Sequence, residues 1–381
     1  MCARLWWYPV VVNSSAANTI PIEGLDAAAY EIPTDLPESD GTLSWDSTTL
    51  VLVRARAGGR SGIGYTYAGP AAVTVVRGEL SEVVRGGDAL TPPASWQAMQ
   101  RAVRNLGKPG VVAEAISAAD IALWDLHARL LDLPLTVALG AVHAATPIYG
   151  SGGFTSYDDE TLAAQLVGWV REGIPGVKMK VGRDPRDDPR RLGVARSAIG
   201  DEPQLFVDAN GAYSRKEAAG RAAEFAEFGV SWLEEPVTSD DLEGLHLLRD
   251  RAPVGMDIAA GEYGYHLPYF HRMLAAEAVD CLQADVTRCL GVSGLLRVAA
   301  LCDARSMELS LHCAPQVSAQ VGTAVWHLRH LEYFHDHVRI ERIAFDGVLT
   351  PESGGLLRPN RSRPGLGLEV RHADLERFRL P

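Results

Sequence analysis

Val177-Lys178-Met179-Lys180-Val181, Val207-Asp208-Ala209-Asn210-Gly211 and Trp232-Leu233-Glu234-Glu235-Pro236 are three short segments that combine apolar runs with charge. The series continues through Glu262, Asp285 and His312, and its members recur about every 23 to 28 residues, the length of one strand plus one helix. That period predicts a parallel β/α barrel with each charged side chain at the end of a successive strand. Such strand ends converge, so residues distant in the chain would share one site.

The residue types suit one kind of chemistry. Asp208, Glu234 and Glu262 offer oxygen ligands for a hard divalent cation. Lys178 and Lys180 point the same way because a strand has period two, and their mutual repulsion is expected to make one of them easier to deprotonate. Asp285 is expected to fix the tautomer of His312 and raise its basicity. A metal flanked by two bases suits removal of a proton next to a carboxylate, since the dianionic enediolate that results needs concentrated positive charge. Taken singly, Lys-Met-Lys is usually a solvated edge, Glu234-Glu235 a helix N-terminal pair and His312 a satisfied buried histidine. Their coincidence at barrel spacing is what singles them out. His327, His330, His335 and His337 are expected to form a polar helix face, because no acidic or cysteine partner accompanies them at useful spacing. Gly150-Ser151-Gly152-Gly153 lacks the Lys-Ser/Thr ending of a phosphate loop.

Composition agrees with a soluble enzyme. At 381 residues the chain exceeds one compact unit, and a barrel with a smaller domain is the natural division. A formal charge of -12 argues against nucleic acid or an anionic membrane as partner, and no apolar run approaches a bilayer span. The apolar opening around Leu5, Trp6, Trp7 and Val10 lacks a signal-peptide pattern, so residues 1-21 read as an N-terminal extension. Five cysteines without CxxC pairing suggest free thiols and a reducing, cytoplasmic setting.

Residues Ile22 to Ile32 alternate loosely as far as Pro33, and 34-41 read as a polar loop. Thr48 to Ala57 and Gly62 to Ala68 form a hairpin about Gly58-Gly59, and Ser95 to Leu131 has helical periodicity ending before Pro134. Strands followed by helices, ahead of a long β/α alternation, predict an α+β cap over 22-140, a barrel over 141-350 and a Gly/Pro-rich return over 351-381.

In order, spacing and residue type the Lys178-Met-Lys180, Asp208-Ala-Asn210, Glu234-Glu235-Pro236, Gly-Glu262, Asp285-Val-Thr-Arg and Leu-His312-Cys motifs resemble the mandelate racemase subgroup of the enolase superfamily, over nearly the whole chain from Ile22. The resemblance implies a modified TIM (β/α)7β-type barrel with an N-terminal α+β capping domain, one essential Mg2+, a small-molecule carboxylate substrate and a homo-oligomer. Carried over motif by motif, Asp208, Glu234 and Glu262 are the metal ligands. Lys180 is the base on one face of the substrate with Lys178 beside its carboxylate, and His312, oriented by Asp285, acts from the other. Ser151, Asn210 and Glu332 match positions that contact the substrate or its enediolate.

Two outcomes follow such an enediolate. His312 either returns a proton to the same carbon, giving racemisation or epimerisation, or protonates a departing 3-hydroxyl, giving dehydration. The segments 34-46 and 65-70 are expected to close the pocket. The first is acidic and has no Lys or Arg, which favours a hydroxylated monoacid over a dicarboxylate. A monoacid sugar dehydratase is therefore the preferred expectation, with a 2-hydroxy-acid racemase as alternative and a non-catalytic barrel as a remote one. A syn-cycloisomerase or dipeptide epimerase is disfavoured, because that branch of the superfamily carries a lysine on the strand where this chain has Asp285.

Overall fold

Antiparallel pairing begins where β-branched and aromatic residues alternate. In the computed structural model, which describes residues 19-381, strands β1 (Ile22–Ser39), β2 (Ser44–Ala57) and β3 (Arg60–Tyr67) form a sheet in that order. The apolar opening with Trp6 and Trp7 lies outside the described residues. Gly58 and Gly59 both have positive φ and turn β2 into β3, with Ala57 opposite Arg60. The segment read as a loop after Pro33 is instead the continuation of β1. Its register shifts between the Pro33–Ser47 and Glu38–Trp45 pairs, so 34-37 bulge out. Pro33 is tolerated because β1 is an edge strand.

One face of this sheet packs on the helix Val111–Leu130, and the contact is close because β3 carries Gly62 and Gly64. A Cβ on Gly64 would lie 2.2 Å from the Ala118 carbonyl oxygen, where backbone cannot yield cheaply. Gly64→Ala is expected to cost roughly 1–3 kcal/mol, read as a lower denaturant midpoint; an unchanged midpoint would show that strand and helix can separate without loss. The single helical stretch expected over Ser95 to Leu131 is two helices, Pro92–Ala102 and Val111–Leu130, because Gly107 and Gly110, both at positive φ, flank Pro109 between them. Short helical turns from Ala71 to Val84 also escaped the sequence reading.

Eight parallel strands follow: β4 (Thr146–Gly152), β5 (Gly176–Lys180), β6 (Gln204–Asp208), β7 (Val230–Glu234), β8 (Asp257–Ala260), β9 (Cys281–Ala284), β10 (Leu309–Leu311) and β11 (Leu328–Phe334). Neighbours in sequence are neighbours in the sheet, and β11 pairs with β4 to close the barrel. The histidines expected on one helix face divide instead among the turn before this last strand (His327), the strand itself (His330) and the helix His335–Ala344 after it (His335 and His337). His330 faces the barrel floor, 4.6 Å from the Tyr149 ring and 5.1 Å from that of Trp232, and burial pushes its pKa down to about 3. The period there is two, and a window of histidines alone does not reveal it.

Specific polar contacts hold the cap over the strand ends. Asp120 accepts from the Ser293 amide and hydroxyl at 2.8 Å each, the Trp96 indole donates to the Leu290 carbonyl at 2.8 Å, and the Tyr65 hydroxyl donates to Glu341 at 2.5 Å. The C-terminal return reaches the outer edge of β1, where the Leu380 amide donates to the Ala29 carbonyl. All four described cysteines are free and buried.

Candidate active site

Local geometry places each charged residue. Lys178 and Lys180 lie on β5, and Lys180 stands opposite Asp208 at the end of β6, which stands opposite Glu234 at the end of β7. Glu262 follows β8 through Gly261, where a Cβ would meet the Gln283 carbonyl oxygen at 2.1 Å; only glycine carries the chain past that point. Asp285 and His312 come directly after β9 and β10, while Ser151 and Glu332 lie on β4 and β11. Except for the half-buried Asn210, all these residues are buried.

The side chains form two connected groups. Lys178 Nζ lies 2.5 Å from Glu234, 2.8 Å from Glu332 and 3.6 Å from Asp208, and Lys180 Nζ lies 2.5 Å from Asp208. On the other side, His312 Nδ1 meets Asp285 at 2.7 Å, and its Nε2 lies 3.2 Å from Glu262 and 3.4 Å from Glu332. The second Asp285 oxygen accepts from the amide and hydroxyl of Thr287, which fixes the carboxylate behind the ring. Ser151 is fully buried and its hydroxyl donates to Glu332, so it steadies that carboxylate from behind.

Charge in this small volume decides protonation. Burial disfavours the Lys180 ammonium, but Asp208, Glu332 and Glu262 together outweigh burial and hold the pKa above the ordinary lysine value. The expected lowering by Lys178 is therefore overridden, since a carboxylate at 2.5 Å acts more strongly than a second ammonium farther off. Burial likewise opposes the His312 cation, and Glu262, Glu332 and Asp285 together raise it. Glu234 is pushed up to about 8 by burial and by Asp208, even with Lys178 beside it.

The residues fit a divalent cation on observations of their own. Asp208, Glu234 and Glu262 each bring a carboxylate oxygen within 4.8 Å of the others. Asn210 Oδ1 and Glu235 Oε1 are buried without a hydrogen-bond partner, which is costly unless something positive or donating faces them, and Glu262 Oε2 meets only the His312 ring, at 3.2 Å. An all-oxygen set suits Mg2+.

Sequence reasoning missed several members. The Trp232 indole donates to Glu234 Oε2 at 2.8 Å, a contact readable from its position two residues earlier in the same strand. Glu235 is buried at a positive φ, with Oε1 unpaired. Arg288 lies 3.4 Å from Glu262 and 3.7 Å from Asp285. Cys313 Sγ lies 3.3 Å from both His312 and Glu332. His337 stacks on Tyr67 at 3.4 Å and accepts from the Ala314 amide; burial pushes its pKa down to about 3, so it is neutral.

Above these groups is a cavity of about 380 Å³ between cap and barrel. Lys180, Asn210, Glu262, His312 and Glu332 line its floor, and Asp40, Trp45, Ser47, Thr48, Thr49 and Tyr67 line its cap side. Both predicted cap segments contribute, but of the acidic residues in the first only Asp40 reaches the cavity. Leu36 is solvent-exposed and forms no part of the wall.

Residues 14–140 match the mandelate racemase / muconate lactonizing enzyme N-terminal domain, and residues 161–374 match the enolase C-terminal domain-like family. The chain belongs to the enolase superfamily, in its mandelate racemase subgroup. A solved mandelate racemase/muconate lactonizing enzyme-like protein from Rubrobacter xylanophilus is 57% identical, with a TM-score of 0.92 over 94% of this chain and 100% of that one. Two curated superfamily members are enzymes of different reaction type. The 3,6-anhydro-alpha-L-galactonate cycloisomerase of Streptomyces coelicolor is 32% identical over 81% of this chain and 86% of its own. The L-talarate/galactarate dehydratase of Salmonella typhimurium is 31% identical over 85% of this chain and 87% of its own. The latter's structure liganded with Mg and L-lyxarohydroxamate aligns with a TM-score of 0.87 at 26% identity, over 100% of this chain and 98% of that one. Among the described residues no helix is long and apolar enough to cross a membrane.

Proposed function

We propose that this enolase-superfamily enzyme removes the α-proton of a monoacid sugar and eliminates its 3-hydroxyl as water. Asp208, Glu234 and Glu262 would hold Mg2+. The chemistry that Mg2+ supplies there when bound is concentrated positive charge, which favours the enediolate and offsets the carboxylates that keep Lys180 protonated. Lys180 takes the α-proton at Nζ, with Lys178 placing a fixed ammonium beside the substrate carboxylate. His312, raised in basicity and held by Asp285, gives its Nε2 proton to the leaving hydroxyl. Water departs, the C–O bond electrons leave with it, and the enol tautomerises to a 3-deoxy-2-keto acid.

One observation carries the choice of substrate. The cap side of the cavity offers hydroxyls, the Asp40 carboxylate and the Trp45 and Tyr67 rings, and the one arginine of its wall, Arg288, is already engaged by Glu262 and Asp285. A polyol tail is matched by such a wall, whereas a second carboxylate would meet no free cation. The cycloisomerase relative supports cycloisomerisation of an anhydro sugar acid as a second reading.

The reading is tested by proton NMR of the Mg2+-loaded enzyme in D2O with aldonic, aldaric and aryl hydroxy acids and a 3,6-anhydro sugar acid. New 3-deoxy methylene signals from an aldonic acid are expected. Loss of an α-proton signal without a keto acid would instead establish racemisation, epimerisation or bare exchange, and turnover confined to the anhydro sugar acid would favour the cycloisomerase reading.

A further inference from the structure

We propose that Asp35, Glu38 and His335 form a second divalent-cation site, separate from the strand-end carboxylates, that fastens the cap to the eighth strand of the barrel. The bulge in β1 takes Asp35 out of the strand ladder, and Glu38 re-enters it opposite Trp45. His335 is the residue immediately after β11. Its Nε2 lies 3.0 Å and 3.2 Å from the two oxygens of Asp35. One ligand atom from each of the three residues falls within 4.8 Å of the others.

Glu38 supplies independent support. It is 1% exposed, its Oε2 accepts from the Trp45 indole at 2.8 Å, and its Oε1 is buried with no hydrogen-bond partner. Buried carboxylate oxygens are normally met by a donor or a cation. Arg339 directs one terminal nitrogen to Asp336 at 2.5 Å and donates nothing to Glu38. Asp35 and His335 also line a cavity of about 550 Å³, whose wall further includes Arg339, Arg342, Arg371 and Arg377 beside Glu172 and Asp374.

One imidazole nitrogen and two carboxylate oxygens select a borderline ion such as Zn2+, in contrast with the all-oxygen set at the barrel mouth. The consequence reaches the catalytic cavity through Trp45. Its indole hydrogen-bonds Glu38 while its ring lines the cavity, so an occupied site would fix one wall of the substrate pocket.

The test is equilibrium dialysis of the full chain against Zn2+ in millimolar Mg2+, with zinc X-ray absorption on the complex. The expected result is about one Zn2+ per chain in a mixed nitrogen and oxygen shell. His335→Ala and Glu38→Gln are each expected to weaken that uptake by roughly tenfold or more. Asp35→Asn, at an exposed position that leaves folding unthreatened, should act likewise. Glu262→Gln should leave the uptake unchanged. No uptake, uptake that survives the three substitutions, or uptake lost in Glu262→Gln instead would overturn the proposal.

Discussion

His312→Asn is expected to lower turnover roughly 100- to 10,000-fold while leaving Mg2+ binding intact, and Lys180→Ala to do the same. The two variants should differ in what survives. If Lys180 removes the α-proton and His312 serves the leaving group, His312→Asn still exchanges the substrate α-proton with D2O but forms no keto acid. Lys180→Ala loses both. If the enzyme is a racemase, each variant instead keeps exchange on the one enantiomer whose proton faces the surviving base. His312 is well placed for either role, since Asp285 at 2.7 Å holds Nδ1 and turns Nε2 towards Glu262 and Glu332. Normal turnover in either variant would sink the two-base assignment.

Glu262→Gln is expected to weaken Mg2+ on the order of 100-fold, because it removes one of three anionic ligands from a site whose remaining neighbours include two lysines. Thermal unfolding with and without Mg2+ reads this directly. At a concentration of 100 Kd the wild type gains about 2.7 kcal/mol from the ion, whereas a variant bound 100-fold more weakly gains about 0.4 kcal/mol. Chelation should return the wild type to the variant's baseline. Unchanged affinity would refute the ligand set.

The barrel was legible because its signal is local and repeated. An apolar run, a charged residue and a helix recur at one spacing, and closing the sheet needs no further information from the sequence. Details went astray where a local cue has two readings. Pro33 suggested a strand end, but an edge strand tolerates proline, and the polar stretch after it is a bulge in β1. The four late histidines suggested a helix face, although His330 belongs to a strand and packs beneath the site on Tyr149 and Trp232.

By itself, then, the sequence determined the order of ionisable groups around the barrel mouth and the chemistry their types allow, because strand period and β/α spacing act within a few dozen residues. Tertiary structure alone decided which groups touch. It set Lys180 against Asp208 and so made the lysine more basic where repulsion from Lys178 predicted the reverse. It brought Asp35 to His335, 300 positions away, and left Asp40 as the one acidic residue of its segment facing the cavity. A protonation state depends on the nearest charge and the water excluded around it, and those neighbours exist only once the barrel has closed and the cap has packed on it.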